Sequence, residues 1–314
     1  MKLYTLISQY VAQRKSLGAQ FRNSEYLLKA FCRAMGNDID VADVQVEPTR
    51  VFLAGSGPLT LTWHTKHVAL RGFYHYAISR GYVTHSPLPT IVPKQPPHFV
   101  PYIYTHDELR RLFAAVYTFQ KKHSLIVPKI IQALLLMLYG TGLRLNEALS
   151  LTMANVDLAQ AVITIRETKF YKTRLVPMGP QLAHAMRKYV AWCGRERYSL
   201  RSDAPFFKTR HGEALNKDTV EGVFERIRTK AGIKRMDGAR YQPRLHDLRH
   251  TFAVHRLTAG YHERTNVQRL LEQLSVYLGH VCIMSTSRYL TMTPELLNEA
   301  NARFERYALK GGTR

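Results

Sequence analysis

Six residues of this sequence are of types that handle a phosphodiester, and they fall in a fixed order: Arg144, Lys169, His246, Arg249, His280 and Tyr289. A tyrosine hydroxyl can attack phosphorus. Its ordinary pKa is near ~10, so about one in a thousand is ionised at neutral pH, and it needs a base or strongly positive surroundings. Attack gathers negative charge on the nonbridging oxygens, where preorganised cations supply roughly 3–4 kcal/mol apiece. A guanidinium suits that task because it is planar, always charged and able to grip two oxygens as a fork. Arg144 and Arg249 take this role. Arg144 follows Gly142, where backbone can approach closely, and Glu147, three residues on, is a helical neighbour able to hold its head in place. His246 and Arg249 stand three apart on an expected helix and share a face, with His250 one residue further round. Lys169, at the tip of a short hairpin, can donate the proton that a leaving 5′ oxygen needs. His280 offers a neutral donor or acceptor beside the phosphate.

Taken singly, these residues say little. A tyrosine near the end of a chain is usually a packing or surface residue, and an arginine after a glycine is usually solvated. A lysine at a strand tip is usually just exposed, and Lys172 and Arg174 stand close enough to Lys169 to substitute for it. HDLRH could be core plus capping, or a metal pattern, but no carboxylate or cysteine spacing completes a metal site. The joint order of six functional types, each in matching local context, carries the reading.

Such residues need elements to position them. The 314 residues suffice for two domains with real cores, and 46% hydrophobic content marks a globular chain. Net charge is +22, from 45 Lys plus Arg against 23 Asp plus Glu, which points to a polyanionic partner. The basic residues are spread along the chain, favouring a folded surface that wraps nucleic acid over a basic arm. No helix shows the amphipathic basic pattern of a membrane-surface binder. The longest apolar run, residues 130–139, is broken by Gln132 and is too short to span a bilayer. The N-terminal stretch lacks the apolar core and cleavage site of a signal peptide. Cys32, Cys193 and Cys282 are widely separated with no CxxC, so neither a zinc site nor a disulfide scaffold is expected. This fits a reducing cytoplasm.

Residues 1–88 read as a helical domain. Leu3, Leu6, Ile7, Tyr10 and Val11 recur at helical steps, a second helix covers about 23–35, and a long helix covers 59–80. That long helix carries Lys66 and Arg71 among aromatics, and both are assigned to the DNA backbone, as are Lys172, Arg174 and His250. Residues 86–101 hold six prolines, which block helix and central strand. The linker is therefore placed at 89–102 and a second domain at 103–314. That domain opens on a helix capped by Thr105 or His106. A buried helix follows, ending at Gly140, then strands over 161–168 and 173–178, helices over 180–195 and 216–231, and a short strand near 205–207. The fold class is mainly α with one small antiparallel β-sheet.

With these pieces assembled, the sequence resembles the tyrosine recombinases, the phage-integrase family. TGLRLNEALSL resembles the family's first arginine box, HDLRHTFA its His-x-x-Arg box, and LGHVCIMSTSRYL its last box with the family's His-to-Tyr spacing. TKFYKTRLVP resembles the hairpin that holds the catalytic lysine, which falls on Lys169 with Lys172 secondary. Residues 1–88 resemble the N-terminal core-binding domain. The resemblance implies a C-shaped clamp on duplex DNA. It implies that Tyr289 becomes linked to a 3′ phosphate with release of a 5′-hydroxyl, and that a partner strand's 5′-hydroxyl reverses the step, without ATP, metal or any other cofactor. It further implies four protomers exchanging strands through a Holliday junction. The final helix, with Leu296, Leu297, Ala300, Phe304 and Tyr307 on one stripe, would dock in trans on a neighbour, with docking in cis as the alternative, and accessory recombinases are admitted as partners.

The sequence departs from the family pattern twice. Thr168 and Phe170 flank the lysine where the family usually has glycine. The interval from Gly260 to His280 is long, and HERTNVQRLLEQLS within it reads as extra helix, which resembles transposon-borne members. Two rival readings stand beside this one. A type IB topoisomerase would nick and reseal one duplex as a monomer, and the N-terminal helical domain and apolar last helix speak against it. A DNA-binding regulator that has lost catalysis is opposed by retention of all six residues.

Overall fold

The computed structural model describes residues 1–19, 21–96, 100–118, 124–166, 173–239, 241–263 and 266–279, together with Thr286, Tyr289, Asn298, Asn301, Ala302 and Glu305. Lys169, Lys172, His280 and the apolar stripe from Leu296 to Tyr307 lie outside the described residues. The chain divides into two compact units, Met1–Phe99 and Val100–Arg314.

The first unit is four helices: α1 (Leu3–Ser16), α2 (Arg22–Met35), α3 (Val46–Ala54) and α4 (Leu61–Ser79), with a 3₁₀ turn at Val41–Asp43. The periodic residues of α1, Leu3, Leu6, Ile7, Tyr10 and Val11, are all buried. They meet Leu28, Phe31, Phe73 and Tyr74 in one core. Thr60 caps α4 by accepting the N–H of Thr62 at 3.3 Å.

Lys66, expected on the DNA backbone, has a partner within the first unit. Lys66 is half-buried; its Nζ donates to the carbonyl of Phe52 at 2.6 Å and lies 4.6 Å over that residue's ring. The ammonium ties α4 to α3, because its aliphatic stem covers apolar surface and its head finds a carbonyl at the end of its reach. His67 is likewise buried, stacked on Trp63 with centroids 5.1 Å apart. Arg71 is exposed.

The second unit holds α5 (His106–Thr118), α6 (Pro128–Thr141), α7 (Leu145–Leu149), strands β1 (Val156–Asp157), β2 (Val162–Ile165) and β3 (Arg174–Pro177), then α8 (Pro180–Arg195), α9 (Lys217–Lys230), α10 (Asp247–His262) and α11 (Val267–Leu278). The strands form one antiparallel sheet in the order β1-β2-β3, with Ile163 opposite Val176. Those two residues are fully buried while Leu175 faces out, as the period-2 pattern requires. Helix α5 begins on a capping box: Thr105 Oγ1 accepts the N–H of Glu108, and Glu108 accepts the N–H of Thr105. The central helix is α6, apolar on most of its surface, packed against α5, α8 and α10.

Three boundaries differ from expectation. The packed chain of the second unit begins by Val100, whose carbonyl accepts from Arg235 at 2.8 Å, and Tyr104 is fully buried. Phe206 and Phe207 fill the core beside Tyr189, but residues 205–207 make only a single bridge, Pro205 to Thr152, and no strand. Helix α6 runs past Gly140 and stops at Gly142, which adopts φ +62° and returns its N–H to Leu138 at 2.9 Å. This is the left-handed cap that glycine alone enters cheaply. A Cβ at Gly142 would also sit 2.5 Å from the Phe252 ring and 2.9 Å from Leu278. Gly142→Ala therefore combines roughly 1–2 kcal/mol of backbone strain with overpacking of similar size. The expected result is a lowered denaturation midpoint in urea, whereas Gly179→Ala, which meets open space, serves as the neutral control.

Candidate active site at the end of helix 11

The last carbonyls of a helix have no partner within it and carry partial negative charge. At the end of α11 three of them are taken by arginines from three different elements. Arg174 of β3 donates from Nε to Tyr277 at 3.2 Å, Arg249 of α10 from Nη2 to Leu278 at 2.6 Å, and Arg144, at the N-cap of α7, from Nη2 to Gly279 at 3.3 Å. Arg249 also donates from Nη1 to the carbonyl of Gly142 at 2.6 Å. The left-handed cap of α6 and the left-handed cap of α11 at Gly279 thus aim carbonyls into one cluster of guanidiniums. Arg174 packs closely on Gly279, since a Cβ there would meet its guanidinium at 3.1 Å.

Glu147 is the counter-ion. Its two oxygens accept four hydrogen bonds: from Arg144 Nη1 at 2.8 Å, the Arg144 N–H at 2.9 Å, Arg174 Nη1 at 3.1 Å and Arg174 Nη2 at 2.7 Å. The Glu147–Arg174 pair is nearly buried, at 11% and 12% exposure. Burial by itself would raise the Glu147 carboxyl, but the hydrogen bonds from Arg174 and the Arg144 backbone and the positive charges overcome it and hold it down to about 2. A depressed carboxyl stabilises the fold above its ordinary range and loses that contribution as pH falls through the folded value. Stability should thus drain between about pH 5 and pH 2, by roughly 3 kcal/mol at most. Glu147→Gln is expected to flatten that acid limb in thermal melts taken across the window. It should also destabilise the protein at neutral pH, because Arg174 then stays buried without its carboxylate.

Arg174 was assigned to DNA. The structure corrects this: its guanidinium is engaged by Glu147 and Tyr277, turned inward from the first residue of β3. It is a tie between sheet, α7 and α11, and it anchors the strand that follows the Lys169 segment.

Arg249 is 3% exposed. Burial, and then the charge of Arg144, pull its guanidinium down to about 10, so it remains charged at neutral pH. His246 occupies the N-cap of α10 one turn before His250. Burial, then Arg249 and Arg244, pull its imidazole down to about 4. Although the residue as a whole is exposed, desolvation of the ring and the neighbouring cations both favour its neutral form. Tyr289 is buried at 1% exposure, packed with Phe252, Leu257 and Leu278. Its hydroxyl lies 3.0 Å from His250 Nδ1, and it is near enough to Arg249 that its ionised form would favour the charged guanidinium.

The structure therefore brings Arg144, Arg249, His246 and Tyr289 to one end of α11 and α10. It also brings two residues whose parts the sequence reading had set otherwise. Glu147 holds Arg174 as well as Arg144. His250, assigned to DNA, touches the tyrosine instead. Its position was readable: in HDLRH it follows His246 by four residues, one helical turn, so it lies along the same face. Among the described residues, no group of three or more His, Cys, Asp or Glu is placed to hold a metal ion, and no helix is long and apolar enough to cross a membrane.

Residues 103–295 match the Phage integrase family. The chain belongs to the phage integrase family. The integrase is 32% identical over 307 residues to a putative integrase/recombinase, y4rB, of Sinorhizobium fredii (strain NBRC 101917 / NGR234), covering 96% of each chain. It is 30% identical over 289 residues to the tyrosine recombinase XerC of Oceanobacillus iheyensis, covering 89% of this chain and 87% of that one. Among solved structures, the Tn1549 transposon integrase in complex with a circular intermediate DNA shares its fold with TM-score 0.71 at 18% identity, over 98% of this chain and 99% of that one. A lambda integrase dimer bound to a core site gives TM-score 0.65 at 14% identity, over 93% and 78%. The protein is a site-specific tyrosine recombinase.

Proposed function

We propose that this recombinase cuts and rejoins double-stranded DNA through a covalent bond between Tyr289 and a 3′ phosphate. The observation that carries the reading is the convergence of Arg144, Arg249 and Tyr289 at the end of α11. The Tyr289 oxygen forms a bond to phosphorus, the bond from phosphorus to the 5′ oxygen breaks, and the departing oxygen takes a proton from Lys169. Arg144 and Arg249 balance the charge that grows on the nonbridging oxygens. His246, held neutral, and His280 donate hydrogen bonds to the same phosphate. The link retains the phosphodiester's energy, so rejoining needs neither ATP nor metal.

The structurally similar lambda integrase supports the partner: it is known as a dimer bound to a core site and as a tetramer bound to a Holliday junction. On that basis four protomers act on two sites, joined through the last helix, with accessory recombinases as further partners. Residues 1–88 and the catalytic domain both grip the duplex, and the protein works in the cytoplasm.

The test is covalent capture. Nicked duplexes from a random-sequence pool are incubated with the protein in EDTA, and products are separated on a denaturing gel. A protein–DNA band whose digest carries a nucleotide on the peptide containing Tyr289 is the expected result. Bound DNA without any covalent product, across the whole pool, would overturn the reading. Affinity should also fall with salt, with a log–log slope of about −0.9 per phosphate neutralised. Arg71→Ala should make that slope shallower by about one phosphate, ~0.9. Arg174→Ala should leave it unchanged while lowering the melting temperature.

A further inference from the structure

The family reading accounts for an attacking oxygen, a charge clamp and a proton for the leaving group. It leaves open where the proton of Tyr289 goes. Tyr289 is 1% exposed, so bulk water is not at hand to accept it. We propose that His250 is the proton acceptor for Tyr289. This rests on the reading of Tyr289 as nucleophile given above.

The geometry carries the assignment. The Tyr289 hydroxyl and His250 Nδ1 are 3.0 Å apart, within the roughly 2.6–3.2 Å that proton transfer to a general base requires. The two rings are tilted at 56° with centroids 5.6 Å apart, so the contact is made through the hydroxyl and ring nitrogen and not by stacking. With the hydroxyl as donor, Nδ1 is the acceptor, which fixes the neutral ring as the Nε2–H tautomer. Both partners are positioned by packing. Tyr289 sits among Phe252, Leu257 and Leu278, and His250 lies on α10 next in sequence to Arg249, which is pinned by two carbonyls.

His246 is the other imidazole at this end of α10, and its surroundings differ. It meets His250 edge to face, with centroids 5.0 Å apart. Burial, Arg249, Arg244 and Arg144 disfavour its charged form and outweigh the Asp247 carboxylate, which favours it. A ring beside three guanidiniums is poorly placed to become a cation and well placed to donate to a phosphate. The two histidines of HDLRH thus divide the work: His246 faces the anion, and His250 takes the proton of the nucleophile.

The step balances. As the Tyr289 oxygen bonds to phosphorus, its proton passes to His250 Nδ1. As the bond to the 5′ oxygen breaks, that oxygen takes a proton from Lys169. One proton is gained by His250 and one lost by Lys169, and rejoining returns both.

The experiment is single-turnover covalent capture on a nicked duplex already shown to trap the wild-type chain, with His250→Ala and His250→Asn at saturating protein. Asparagine can accept the hydrogen bond near the Nδ1 position but cannot keep a proton. Both variants should lose about 100-fold or more in rate, with DNA binding in a mobility-shift assay changed less than about threefold. The loss should persist on a duplex whose leaving 5′ oxygen is replaced by sulfur, since a thiolate departs without a proton, whereas a Lys169→Ala loss should vanish there. Three outcomes would overturn the proposal. Capture by His250→Ala at or above the wild-type rate makes the contact a resting latch. Full activity of His250→Asn makes it a positioning hydrogen bond only. A loss cured by the sulfur substrate moves His250 to the leaving group. Failure of the wild-type chain to trap any duplex would instead strike the nucleophile reading itself, so the two failures are distinguishable.

Discussion

Tyr289→Phe is expected to abolish covalent capture while leaving a folded protein that still binds DNA. The substitution removes one oxygen and no packing volume. The ring keeps its contacts with Phe252, Leu257 and Leu278, so the apolar contribution is unchanged. What is lost in stability is the hydrogen bond to His250, a net of about 0.5–1.5 kcal/mol. What is lost in chemistry, on the proposed role of Tyr289, is the attacking atom. Gel capture and a melting curve on the same preparation check both halves. A covalent band from the phenylalanine variant would place the nucleophile elsewhere in the chain.

Arg249→Lys has the second largest expected effect, a fall of about 10²–10³-fold in the capture rate. The guanidinium spends two of its nitrogens on the carbonyls of Gly142 and Leu278, both at 2.6 Å. Those bonds orient the fork, and its remaining N–H groups are what it can offer a phosphate. A lysine has one nitrogen and cannot satisfy two carbonyls and a phosphate in a fixed plane. Burial already pulls the arginine down to about 10. The same burial acts on a group that starts lower, so a lysine there is closer to losing its charge. Single-turnover rates, with binding measured separately, check this. A lysine variant within a few-fold of wild type would reduce Arg249 to a structural tie.

The sequence was most informative where periodicity and motif coincided. The helix at 180–195 and the burial of α1 followed from spacing alone, because apolar steps of three and four leave little choice. The arginine boxes were legible because each is a local pattern, and Glu147 was legible as the Arg144 holder for the same reason. What was not legible depends on tertiary approach. Arg174 looked like a free cation on a strand, and only the docking of α11 on β3 turns it inward. Lys66 looked like a backbone clamp until the Phe52 carbonyl was found at the end of its reach. His250 sat in plain view within HDLRH, but its meeting with Tyr289 joins residues 39 positions apart, which no local pattern reports. The cap of α6 lies two residues beyond the expected stop at Gly140. The left-handed turn is at Gly142.

The three arginines that end on α11 also impose an order on biosynthesis. Arg144, Arg174 and Arg249 all leave the ribosome before Tyr277, Leu278 and Gly279, whose carbonyls they need. A nascent chain that has emerged only as far as α10 already holds Glu147 and the Gly142 carbonyl for these arginines, but the carbonyls at the end of α11 reach them only after α11 is made. Tyr289 follows ten residues later still. On the proposed role of Tyr289, the growing polypeptide is basic enough to meet nucleic acid before it can cut it.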